Sequence, residues 1–177
     1  MAALAEQELR YPIARSGGLF LLIIGAGLLA AIAASGDAPV NRGVFYAALG
    51  AALVSLCFAR RVSLGRPTPL QIGALVFAVA LQGALIVLKS RLLPHTTPEH
   101  VRWLWVAAIV GIHFLPMAVT FGPRMLLLGS ACIATALAGL SMPSIPYEVF
   151  GIVDGALKVA VGAWLLATKP TAVGGLH

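Results

Sequence analysis

Six long apolar stretches follow one another along this chain of 177 residues, and they constrain its fold more than any other feature. They cover residues 17–34, 43–59, 70–88, 103–121, 125–140 and 147–167. A helix needs about 20 predominantly apolar residues to cross a bilayer. Each stretch reaches or approaches that length, exceeds what a barrel strand needs, and lacks strict alternation. The sequence therefore predicts an all-α, polytopic transmembrane helical bundle with six spans, forming a single domain over residues 1–177.

The composition excludes several other classes of protein. Hydrophobic residues make up 60 % of the chain and charged residues only 10 %, whereas soluble domains hold about 25 % charged residues. A soluble enzyme, a disordered tail and a disulfide scaffold are therefore excluded. Cys57 and Cys132 each lie inside an apolar stretch and are interpreted as small core residues.

The basic residues predict the orientation of the bundle. They separate the apolar stretches instead of forming a patch, so the net charge of +6 does not indicate nucleic acid as a partner. With the N-terminus inside, seven basic residues lie on the inner side and four on the outer side. The inner residues are Arg10, Arg15, Arg60, Arg61, Arg66, Arg124 and Lys169, and the outer ones are Arg42, Lys89, Arg91 and Arg102. We expect both termini to be cytoplasmic, in a multi-pass protein of the cell inner (cytoplasmic) membrane.

The first apolar stretch also has features of a signal peptide, because Ala31-Ile32-Ala33 resembles a small-residue cleavage site. Glu6 and Glu8 dilute the basic region before it, and the apolar run is long for a signal core. We therefore expect this stretch to be retained as the first helix.

Small residues predict where helices approach closely, since helices in lipid associate by packing and not by a hydrophobic drive. Such stripes occur on the second stretch, at Gly43, Ala47 and Ala51, and on the fifth, at Ala131, Thr135 and Gly139. On the sixth, one third of the helix circumference carries Gly151, Asp154, Gly155, Lys158 and Gly162. We expect this sixth face, with its two charges, to be buried against other helices.

Asp154 and Lys158 lie deep in the sixth stretch, where each charge costs roughly 2.5 to 3.5 kcal/mol on insertion scales. Their spacing of four residues allows the carboxylate and the ammonium to meet on one helix. One interpretation is a neutralised pair that permits insertion and fixes the rotation of the helix. The other is an ion or proton site gated by breaking the pair. A self-contained pair needs no further purpose, which favours the first interpretation.

His113 and Gln82 are expected at the same depth as this pair, counting ~1.5 Å per residue along each helix. Pro116 removes a backbone hydrogen bond just beyond His113 and is expected to kink the helix there. Histidine titrates near physiological pH. We therefore predict Gln82, His113, Asp154 and Lys158 as binding residues. The structural alternative is that His113 only bonds Asp154 or Gln82 across a helix interface.

No metal site, cofactor or enzyme class is indicated. His95, Glu99 and His100 lie in a predicted outer loop without the spacing of a zinc motif. Nucleotide-binding, hydrolase and CxxC motifs are also absent from the sequence.

Several segments carry a resemblance to a known family. They are Leu64 to Gln71, Arg102 with Trp105, Gly111 to Pro116, and Phe150 to Lys158. In these segments the chain resembles a family of small six-span bacterial integral membrane proteins of unassigned function. The resemblance implies the membrane fold and marks His113, Asp154 and Lys158, but it implies no activity.

The leading functional hypothesis is a polar midplane site that binds or transports a small solute or proton. His113 would be the titrating group, and Asp154 with Lys158 the switch. One alternative is a non-catalytic structural or regulatory protein, such as a homo-oligomer, in which these residues only specify helix packing. Another is an enzyme acting on a lipid-like substrate, which requires a cavity open to the bilayer at the level of His113. A solidly packed layer there would exclude both the leading hypothesis and the enzyme.

Overall fold

The computed structural model describes residues 11–36, 38–58, 63 and 65–167. Within these ranges the chain is all-helical and contains no strand. The helices are α1 Ala14–Ala33, α2 Arg42–Cys57, α3 Pro69–Leu92, α4 Glu99–Phe121, α5 Arg124–Ser141 and α6 Tyr147–Leu166. One helix occupies each predicted apolar stretch, which confirms the all-α prediction. The residues Glu6, Glu8, Arg10, Arg60, Arg61, Leu64 and Lys169, which entered the predictions above, lie outside the described residues.

Five of the described helices are long and apolar enough to cross a membrane, which indicates a membrane protein. The exception is α2, which has 16 residues, fewer than the ~20 that a span usually needs. Length and composition thus support five of the six predicted spans.

Local sequence signals explain where several helices begin. The side chain of Asn41 accepts a hydrogen bond from the Val44 amide, 3.1 Å away, and so caps α2. Thr68 and Gln71 form a reciprocal capping box at the start of α3, where Pro69 occupies the first turn. Gly122 ends α4 with a φ of 99°, a conformation that favours glycine. This sharp turn places α4 and α5 beside each other, as their short connection predicts.

The helices pack in an arc and not in a closed ring. Neighbours along the arc follow the order α2, α1, α6, α5, α4 and α3, with slight additional contacts of α4 with α6 and α1. The two end helices, α2 and α3, do not contact each other within the described residues. The bundle is therefore open on the side where α2 and α3 face one another.

Glycines bring the central helices of the arc into backbone contact. A Cβ on Gly18 would lie 2.7 Å from the Gly162 carbonyl oxygen, and a Cβ on Gly25 would lie 2.8 Å from that of Gly155. Gly111 of α4 and Gly129 of α5 approach each other in the same way. The predicted buried face of α6 is confirmed, because all five of its residues are buried. The stripe at Gly43, Ala47 and Ala51 was wrongly predicted as a contact surface, since these residues are exposed.

Candidate functional site

The gap between α2 and α3 leads into a cleft of about 880 Å³. α1 and α4 form its back, and α2 and α3 form its sides. Its walls are mainly apolar, with Phe20, Leu49, Leu53, Leu75, Val79 and Val110 among the lining residues. Small-molecule sites usually measure roughly 300 to 1,000 Å³ and have mainly apolar walls. The layer around His113 is therefore not solidly packed, which is the condition that the binding and enzyme hypotheses require.

His113 lines this cleft and is held by a backbone group of the neighbouring helix. Its Nδ1 donates a hydrogen bond to the carbonyl oxygen of Ala78 in α3, at 2.9 Å. Because a carbonyl can only accept, Nδ1 carries the proton. None of the described residues bonds Nε2, so this nitrogen is left for the cleft. His113 thus makes a hydrogen bond across a helix interface, as the structural alternative expects, but among the described residues its partner is Ala78 and not Asp154 or Gln82.

Lys158 and Asp154 form a buried ion pair within α6, through Lys158 Nζ and Asp154 Oδ2. The Sγ of Cys132 in α5 lies 3.9 Å from the same Nζ, and the ring of Phe114 lies 6.0 Å away by its centroid. Lys158 lines the cleft, whereas Asp154 lies behind it. Of the two members of the pair, Lys158 alone borders the cleft.

The second carboxylate oxygen of Asp154, Oδ1, is buried and accepts no hydrogen bond from the described residues. Beside it lies a smaller cavity of about 70 Å³ that Tyr147, Trp103 and Lys158 also line. The two cavities adjoin, because Lys158 and Val110 line both. A buried polar atom without a partner costs about 1 to 3 kcal/mol. Asp154 can therefore accept a hydrogen bond from water or from a donor group that reaches the pair.

Gln82 is half-exposed and lines the cleft one helical turn beyond Ala78 on α3. The structure thus brings Gln82, His113 and Lys158 to one cleft, and Asp154 joins them through its ion pair. Their role as binding residues stays a prediction.

The sequence did not reveal the charged end of this cleft, where Arg42, Lys89, Glu99 and Arg102 line the wall. Arg42 of α2 pairs with Glu99 of α4, with 2.8 Å between Nη2 and Oε1. Trp103 Nε1 also donates to this carboxylate, at 3.3 Å. The signal available in the sequence is that all four residues lie near helix ends on the predicted outer side. The basic residues among them also serve as topology determinants, and that role alone does not indicate a site.

Within the part of the chain that the structure describes, no three His, Cys, Asp or Glu side chains form a group that could hold a metal ion.

Comparison with known proteins identifies one family. A family model described as a family of unknown function, DUF6609, matches residues 5–173. No curated protein and no solved structure matches the chain.

Proposed function

This chain belongs to DUF6609, a family of unknown function, and we propose that its cleft binds a small, largely apolar molecule. In this proposal all six helices cross the cytoplasmic membrane, and both termini lie in the cytoplasm. His113 is the titrating group of the cleft, and the protein binds or moves a small solute or a proton through this site.

Exposed apolar surface supports the membrane setting of the proposal. The end helices of the arc carry much of it, including Leu53 and Val54 on α2 and Val76 and Phe77 on α3. Continuous apolar surface of this kind would promote aggregation in water, whereas lipid chains solvate it. The open side of the arc then faces lipid, so a ligand can enter the cleft laterally from the bilayer.

The cleft combines apolar walls with a few polar groups that converge deep inside it, and this combination supports the proposal most directly. His113 Nε2 offers a hydrogen-bonding atom to the cleft, Lys158 offers a cation, and Gln82 offers an amide. Binding sites for small molecules have this composition, because apolar walls supply affinity and a few polar groups fix orientation.

A structural role is the second candidate function, and the ion pair within α6 favours it. Lys158 and Asp154 neutralise each other on one helix and would allow α6 to insert without any ligand. In that case the cleft would hold only bulk lipid.

We expect Val79→Trp to reduce ligand binding at least tenfold, because an indole at this position fills the side of the cleft. The probe is a neutral long-chain alcohol that carries bromine, and it quenches Trp103, which lines the cleft. Trp105 and Trp164 are first replaced by Phe, so that Trp103 alone reports in the parent, and its saturable quenching is followed in lipid nanodiscs. For Val79→Trp, displacement of a tritiated form of the alcohol replaces quenching as the readout.

The matched control is Val76→Trp, because Val76 lies on the same helix, is similarly exposed and does not line the cleft. Equal affinity of the two variants would contradict binding in the cleft.

We expect His113→Ala to lower proton flux at least tenfold, because the variant removes the titrating group from the cleft. The protein is reconstituted in liposomes, and an entrapped pH-sensitive dye reports the flux. His100→Ala is the control, since His100 is exposed and does not line the cleft. Equal flux through the parent protein and His113→Ala would refute a proton-transporting role.

A further inference from the structure

We infer that the occupant of the cleft is an anionic amphiphile, with a phosphate or carboxylate group at the basic end of the cleft and an apolar chain along its walls. The basic end is the part lined by Arg42, Lys89, Glu99 and Arg102. This inference rests on the proposed function, because it names the class of ligand for the same cleft.

The basic end of the cleft carries an excess of positive charge. Three cationic side chains and one carboxylate line it, which leaves an excess of two positive charges. Glu99 is engaged by Arg42. Arg102 donates to the backbone carbonyl of His95, a neutral acceptor, and forms no ion pair with any described residue. Lys89 forms no ion pair with any described residue. Arg102 and Lys89 are therefore available to an anion.

The cationic side chains of the basic end come from three different helices. Arg42 belongs to α2, Lys89 to α3 and Arg102 to α4, so the basic end draws on both helices that border the opening. Within the described residues α2 and α3 do not contact each other, so the cations of these two helices lie on opposite sides of the opening. An anion entering between these helices would meet cations from both sides. Guanidinium groups suit phosphate and carboxylate, because their donors match the two oxygens of such groups.

The basic end of the cleft lies at one end of the bundle and not at its middle. It lies where α2 begins, α3 ends and α4 begins, which is one end of the bundle. In a membrane, helix ends lie at the level of the lipid head groups. His113 lies eleven positions after Arg102, about 16 Å further along α4. The wall between them includes Val106 and Val110. An anionic head at one end and an apolar chain running toward His113 therefore fit the distribution of charge.

The experiment compares probes that share one chain length and differ in the head group. Dodecyl phosphate, dodecanol and dodecyltrimethylammonium, each carrying bromine, are titrated against the protein in which Trp103 is the only tryptophan. We expect the phosphate to bind at least tenfold more tightly than the alcohol, and the ammonium compound to bind most weakly.

Variants of the basic end test whether its cations cause the difference in affinity between the phosphate and the alcohol. Lys89→Gln and Arg102→Gln should each lower the ratio of phosphate affinity to alcohol affinity about fivefold or more. Arg91→Gln is the matched control, because Arg91 lies two residues from Lys89, is exposed and does not line the cleft. It should leave the affinity of both probes unchanged.

Two outcomes separate this inference from the proposal on which it rests. Equal binding of phosphate and alcohol, with no effect of Lys89→Gln or Arg102→Gln, would overturn the anionic class and leave the cleft as a binding site. Absence of saturable quenching by all three probes would overturn both. Where the phosphate binds selectively, displacement by a two-chain anionic phospholipid identifies a membrane lipid as the source. Displacement only by single-chain phosphates or carboxylates identifies a free amphiphile.

Discussion

Replacing Lys158 by Met should destabilise the protein by about 3 to 5 kcal/mol, because Asp154 then remains as a buried charge without its counter-ion. Lys158 is the only cation that pairs with this carboxylate among the described residues, and the carboxylate's Oδ1 accepts no hydrogen bond from them. A loss of this size is a large part of the total stability of most domains, about 5 to 15 kcal/mol. It is measured as the denaturant midpoint and thermal midpoint of the purified protein in detergent.

The double variant Asp154→Asn with Lys158→Met should recover most of the loss, because no charge then lies within the bundle. Arg91→Met serves as the control for removing a cation at an exposed position. A Lys158→Met protein as stable as the parent would show that the pair contributes nothing to folding.

The double variant also tests whether the ion pair takes part in binding or transport. If the pair serves only insertion and packing, the folded double variant should bind the brominated alcohol and conduct protons as the parent does. If the pair takes part in binding or transport, the double variant should fold and lose that activity. The stability and the activity of one protein are compared directly, so loss of folding does not obscure the result.

Gly25→Leu should destabilise the protein by about 3 kcal/mol or more, because its side chain would meet backbone atoms of α6. The Cβ alone would lie 2.8 Å from the carbonyl oxygen of Gly155 and 2.9 Å from the amide of Val159. These atoms can move away only if α1 and α6 separate, and this contact is the most extensive one in the bundle.

Gly83→Leu is the control for this substitution, because a Cβ on Gly83 meets no atom within 4 Å. Removing a glycine from the interior of α3 should stabilise that helix slightly, by at most about 1 kcal/mol. Equal stabilities of the two leucine variants would contradict the backbone packing of α1 on α6.

The helical class and the ion pair were predictable because both depend on contacts that are local in sequence. Asp154 and Lys158 are four residues apart, and helical geometry alone places such residues on one face. The short connection around Gly122 likewise leaves α4 and α5 no arrangement other than antiparallel neighbours. The buried face of α6 followed from its glycines and charges.

The partners of these elements were not predictable in the same way. The glycines of α6 indicate a close approach but do not identify α1 as the partner, and the small residues of α2 suggested a contact that does not form. The partner of His113 is the carbonyl of Ala78, and a backbone carbonyl has no signature in the sequence. The basic end combines residues from three helices whose proximity depends on the order of the arc.

The sequence by itself determined six apolar helices, the ion pair inside α6 and the small set of polar residues at depth. Only the tertiary structure decided that α2 and α3 stay apart and that the cleft between them joins His113 and Lys158 to the basic end. The physical reason is that periodicity fixes contacts within a helix and across a short turn. Contacts between distant helices depend on how their surfaces interlock, and apolar helices in lipid differ too little in hydropathy to encode that choice.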